Sequence, residues 1–161
     1  DSEQNARVQK NNIVGTIIGA ILLLLFIYAI AIMAGGVRFI IWFIDAPSII
    51  AVVGIQMITL SASGLFGDFI KAIKLVFSPR KFTVEERADL SVRGEYAVGV
   101  AIKAACLGGA VTSLIGIVMV MGVLTEPELI GPNLAVAILS MFYAVLLALV
   151  LLIMKGKLHR V

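Results

Sequence analysis

Two stretches of 22 residues, 13–34 and 133–154, carry no charged side chain. As helix, each would measure about 33 Å, enough to cross the roughly 30 Å of hydrocarbon in a bilayer. A water-soluble chain of 161 residues has no interior that could hide both, because small domains leave much of their surface in water. The rest of the composition agrees: 61% of residues are hydrophobic, 14% are charged, and the mean hydropathy is +1.10. The chain is therefore expected to be an all-α integral membrane protein. Its net charge of +3 is too small to point to nucleic acid. The lone Cys106 allows no disulfide or zinc framework within one chain. Asp1 in place of Met predicts a trimmed N-terminus, and the run 13–34 is too long for a signal-peptide core.

Residues 1–12 read as an N-terminal tail. Residues 13–66 are expected to hold two transmembrane helices joined by a short outer segment, with Trp42 at the headgroup level beside Arg38 and Asp45. Gly15 and Gly19 form a small-xxx-small pair. Pro47 suits the first turn of the second span. That span carries Gln56, Thr59, Ser61 and Ser63, which must face protein or bond to their own backbone. Residues 67–95 form a short charged loop that opens on an amphipathic segment, with Phe69, Ile70 and Ile73 at helical spacing and Lys71 and Lys74 between them. Ser78-Pro79 should break it, and Thr83 with Glu86 makes a capping box for a short helix from Val84.

Residues 96–154 hold the third and fourth spans. The third apolar stretch, Tyr96 to Leu124, exceeds what a bilayer needs, so Lys103 near its start is expected to snorkel or to lie outside. TEPELIGPN reads as an acidic turn, with Gly131-Pro132-Asn133 starting the fourth helix, and residues 155–161 are a basic tail. Lys and Arg concentrate in the two tails and in the middle loop. The other two loops hold Arg38 alone and Glu126 with Glu128. The positive-inside rule then places both termini and the charged loop in the cytoplasm.

No Asp or Glu falls within the four expected spans; Asp45 and Asp68 sit at membrane edges, and the single histidine, His159, is in the tail. Proton movement through a membrane normally needs a group there that can change charge. Such a group must come from another chain, or the protein is passive. What the spans do offer is hydroxyls and small residues. Gly109, Ser113, Gly116 and Val120 fall on one stripe with Thr112 beside it, and Val136, Ser140, Tyr143 or Ala144, and Leu147 share a face of the fourth helix. Each hydroxyl has an ordinary role in bonding the carbonyl one turn back, and each glycine in packing. Together the two faces also suit a narrow, slightly polar lining around a partner helix. Catalytic, metal-binding and phosphate-binding motifs are missing, so neither an enzyme nor a cofactor is expected.

Two segments resemble a known family. FIDAPSIIAVVG running into FIKAIKLVF is similar to the second span of the flagellar stator A-subunits of the MotA/PomA type. LGGAVTSLIGIVMVMGVLTEPELIGPNLAVAILSMFYAVLLALVLL is similar to their third and fourth spans. The wider superfamily includes the ExbB and TolQ energisers. The resemblance implies a pentamer of this chain around a dimer of single-span B-type subunits (MotB/PomB/ExbD-like), in the bacterial inner membrane. The B-subunit carries the ion-binding aspartate, and ion flow drives motion. It further implies that Ser113, Ser140 and Met141 lie along the ion path, and Thr112 and Tyr143, on the faces described above, complete the expected lining. Gly109, Gly116, Ala135, Val136 and Ala144 would serve helix packing or partner contact. Met141 stands where sodium-driven members have a threonine, and a thioether is a poor ligand for a hard cation, which favours protons. The chain departs from the pattern at Cys106 and Met154, where the family tends to have prolines. Its cytoplasmic segment is also too short for the helical hairpin that meets a flagellar rotor. Two other readings stay open: a structural four-helix membrane scaffold without ion flux, and an ExbB/TolQ-like energiser of a periplasmic or outer-membrane process.

Overall fold

The structure, a computed structural model, describes residues 2–35 and 44–159, with side chains in the first helix described only within 14–33. All regular structure among these residues is helical: α1 (Ser2–Gly35), α2 (Ala46–Ala62), α3 (Phe66–Phe77), a short 3₁₀ turn at Pro79–Lys81, α4 (Val84–Gly122) and α5 (Pro127–Leu158). The expected interfacial residues Arg38 and Trp42 lie outside the described residues. By length and composition α4 and α5 can each cross a membrane, and α2 with α3 qualifies as a third crossing only if the bent pair is counted as one. In α1 the apolar stretch that stands out is Ile17–Ile30. The helix is continuous from Ser2 through the residues expected as a tail.

α2 begins at Asp45, whose carboxylate caps the helix by accepting from the Ser48 N–H at 3.0 Å, with Pro47 in the first turn. At its other end Gly64 adopts φ +70, the left-handed conformation that a side chain disfavours. The Leu65 N–H then reaches the Leu60 carbonyl at 2.9 Å and the Gly64 N–H reaches Ser61 at 3.1 Å. This glycine-centred cap stops α2 and turns the chain by 112° into α3. α3 is amphipathic as expected: Phe69, Ala72, Leu75 and Val76 are buried, and Lys71 and Lys74 are exposed.

The capping box is present in full, the Thr83 hydroxyl accepting from the Glu86 N–H and the Glu86 carboxylate accepting from the Thr83 N–H. The helix it opens is not short. It runs without a break into the third apolar stretch, giving α4 its 39 residues. The loop expected over 67–95 is thus mostly helix, and Lys103 lies well inside α4. The start of α5 also differs from expectation. Pro127 supplies its first residue, and Pro132 lies inside the helix rather than before it. Proline fits the first turn because the N–H it lacks has no partner there.

The main core lies where the α4–α5 pair meets α3, joining Phe69, Ala72, Leu75, Ala97, Val98, Leu151, Met154 and Leu158 with Leu60 of α2. Ala72 packs directly over Gly94. A Cβ on Gly94 would come within 2.8 Å of the Ala72 Cβ and 3.7 Å of a Leu158 methyl. Gly94→Ala should therefore cost about 1–3 kcal/mol of stability by overpacking. Gly54→Ala, where a Cβ would meet nothing within 4 Å, should change it by no more than about 0.5 kcal/mol. Thermal unfolding of the two variants in detergent measures the difference, and equal melting would refute the close α3–α4 contact.

Candidate functional site

α4 and α5 lie antiparallel, and small residues bring them together. A Cβ on Gly116 would lie 2.8 Å from the backbone N and Cα of Ala137. A Cβ on Gly109 would run into the Ala144 methyl and come within 3.0 Å of the Ser140 carbonyl. Gly109, Thr112 and Gly116 are buried on α4, and Ala137, Ser140 and Ala144 are buried on α5. The stripe on α4 is therefore 109, 112, 116. Ser113, expected on it, is displaced to the margin and is half-buried. Both sets of positions keep within an arc of about 60° on the helix, so spacing does not choose between them; α5 lies on the Thr112 side of that arc, and this leaves Ser113 at its edge.

Both buried hydroxyls are satisfied within their own helices. Thr112 Oγ1 donates to the Gly108 carbonyl at 2.9 Å, and Ser140 Oγ donates to the Val136 carbonyl at 2.7 Å. Ser140 is 0% exposed and Thr112 7%, so neither opens onto the surface of this chain. Met141 and Ala135 are exposed instead, Met141 by 45%. The Met141 Cα nevertheless lies beside the seam, 3.6 Å from where a Gly109 Cβ would be.

The fourth-helix face divides between two neighbours. Ser140 and Ala144 turn to α4, whereas Val136 and Tyr143 meet α2. The Val136 carbonyl also accepts from the Ser48 hydroxyl at 3.3 Å, and Ser48 Oγ bonds the Asp45 carboxylate as well. The Asp45 N–H donates to the Tyr143 hydroxyl oxygen at 3.0 Å. The start of α2 thus sits on the middle of α5 through a half-buried polar junction of Asp45, Ser48 and Tyr143. Asp45 and Ser48 were not anticipated as neighbours of the site. An Asp three residues before a Ser, with Pro between them at a helix start, was the available signal. Below the junction, Ile49, Val52, Val53, Tyr143, Leu146 and Leu147 line an apolar groove of about 260 Å³ between α2 and α5.

Deeper along α2, the buried Gln56 Nε2 donates to the Ala101 carbonyl of α4 at 3.1 Å, Thr59 Oγ1 bonds the Ile55 carbonyl at 2.8 Å, and Ser63 Oγ bonds Thr59 at 2.7 Å. These bonds answer the need for partners that their setting imposes. No group of three or more His, Cys, Asp or Glu able to hold a metal occurs among the described residues. Past the apolar run of α5, Lys157 has its ammonium tucked out of solvent, and that loss of hydration lowers its pKa from the usual lysine value.

No family model, no curated protein and no solved structure matches this chain.

If the glycines set the α4–α5 distance, Gly116→Leu should separate the helices. A leucine there meets backbone rather than a movable side chain, so the variant should melt well below the parent, by more than about 3 kcal/mol. Ser113→Ala, at the margin, should stay within about 0.5 kcal/mol. Parallel melting curves of the full chain in detergent check both.

Proposed function

We propose that the chain is the A-type subunit of an inner-membrane, ion-driven stator or motor complex, working as an oligomer around a single-span partner whose aspartate takes up the ion. On this reading the chain crosses the membrane four times with both termini in the cytoplasm, α1 supplying the first crossing and α2 the second. The observation that carries the proposal is the pairing of α4 and α5. From Lys103 to Glu126 and from Glu128 to Lys155 the chain holds no ionisable residue other than Cys106 and Tyr143, yet the two helices present small residues and hydroxyls along one closely packed seam. A helix pair of this kind can form a smooth, weakly polar wall but cannot itself relay a charge, so the titrating group belongs to another helix.

Thr112 and Ser140 are turned into the seam, which leaves Ser113 and Met141 on its margin as the residues able to meet the partner. Met141 in place of an oxygen ligand favours protons over sodium. The segment between α2 and α4 is one short amphipathic helix and a turn, which favours delivery of the work through the partner, as in an energiser of the ExbB/TolQ kind, over contact with a rotor.

A structural scaffold is the second reading, favoured by the internal satisfaction of both buried hydroxyls. Ion flux in vesicles separates the two. Co-reconstituted with a single-span partner, the motor reading expects flux that disappears when the partner's membrane Asp is changed to Asn. Ser113→Leu should reduce the flux by at least tenfold without loss of assembly. A scaffold would show no flux with any partner and no response to Ser113→Leu.

A further inference from the structure

Where α4 and α5 run beyond the apolar seam, a groove of about 440 Å³ opens along their flank. Its lining is mixed in character. Val100, Ile102 and Leu152 give it an apolar wall, and Tyr96, Lys103 and Lys155 add polar groups, Tyr96 and Lys103 on α4 to either side of Val100. The two lysines come from different helices. Lys103 enters the lining from α4, and Lys155 reaches across from the antiparallel α5 toward Glu95 and Gly99. Gly99 lies between them. A Cβ there would be 3.6 Å from the Lys155 Nζ, and its absence leaves the ammonium room beside the α4 backbone.

The charges do not balance. Glu95 is the one carboxylate in the groove. It lies 3.8 Å from Lys155 Nζ at one oxygen and 3.3 Å from His159 Nδ1 at the other. Lys155 and His159 thus engage the one carboxylate, and Lys103 adds a second ammonium to the lining, at the level where an apolar span gives way to polar residues. A monoanionic phosphate carrying acyl chains fits that combination. The two lysines and the Tyr96 hydroxyl supply donors for its oxygens, and Val100 and Leu152 supply a surface for its chains.

We propose that this groove binds the headgroup of an anionic phospholipid from the leaflet at the Lys155 end of α5. The proposal rests on the membrane reading of α4 and α5 and is independent of ion flux or of any partner subunit. Basic pockets between transmembrane helices recognise such headgroups because each lysine near the surface adds to the attraction for net negative charge. A zwitterionic headgroup brings the same phosphate without the net charge and should bind less well.

The test titrates the full chain in detergent micelles with phosphatidylglycerol or phosphatidylcholine and reads bound lipid by native mass spectrometry. Phosphatidylglycerol should bind at least tenfold more tightly than phosphatidylcholine. The preference should vanish in the Lys103→Gln/Lys155→Gln double variant and in Gly99→Leu, which fills the groove while leaving its charges. It should persist in Lys71→Gln/Lys74→Gln, which removes two exposed lysines from α3. Equal binding of the two lipids would overturn the proposal, as would an unchanged preference in both groove variants. Displacement of phosphatidylglycerol by millimolar inorganic phosphate would also overturn it, by showing that the acyl chains contribute nothing.

Discussion

The close approach of α4 to α5 is the contact on which the remaining structure depends. Helices in lipid gain little from hiding apolar side chains from one another, since the acyl chains are equally apolar, so they associate through tight van der Waals contact. Gly116 against Ala137 and Gly109 against Ala144 bring the two backbones close enough for that. The other faces of α4 repeat the device, with Gly108 beneath Ile55 of α2 and Gly94 beneath Ala72 of α3. One long helix thus receives three neighbours, each at a glycine. α1 stands apart from this arrangement; its contacts are few and mainly with α5, and side chains such as Phe26, 66% exposed, face outward. Gly15 and Gly19 have nothing within 4 Å, which leaves their small-xxx-small edge open to another helix.

Polarity follows the same economy. Gln56, Thr59, Thr112 and Ser140 all find carbonyl partners within the chain, two of them buried in the α4–α5 seam. A hydroxyl that already donates to its own helix retains only lone pairs, and in a closed seam these reach nothing outside. The proposed contact with a partner therefore moves from the buried hydroxyls to the seam's edge, at Ser113 and Met141. At the opposite end of the same helix pair the polar groups are exposed and unbalanced, which is why the lipid site is inferred there.

Much of this was legible in the sequence, and the misses have physical causes. The Thr83–Glu86 box and the amphipathic α3 are local patterns, set by residues three or four apart, and both are present. The full length of α4 was obscured because charged residues over 84–95 read as loop when judged against bilayer thickness. A helix can leave the membrane without ending if its first turns pack on protein, as Leu90, Gly94 and Ala97 do. Pro132 suggested a helix start because proline terminates helices in water. Five residues into α5 it removes one backbone N–H from the ladder without ending the helix. The stripe at 109, 113, 116 shifted to 109, 112, 116 because a sequence shows which residues are small but not which neighbour they meet. Ala137, unremarkable beside the hydroxyls, turned out to be the partner of Gly116. The Asp45–Ser48 cap is a local pattern, but its contact with Tyr143 was beyond reach for the same reason, since it joins residues about a hundred positions apart.

The proposed role requires that the margin of the α4–α5 seam face a foreign helix bearing an acid. Site-directed disulfide cross-linking tests this most directly. With Cys106 replaced by serine, a cysteine at position 113 is paired in membranes with cysteines placed one at a time along the partner's single span. The account predicts cross-links that recur with helical periodicity on the face of the partner's aspartate. Cross-links confined to other copies of this chain, or none at all along the partner, would contradict it.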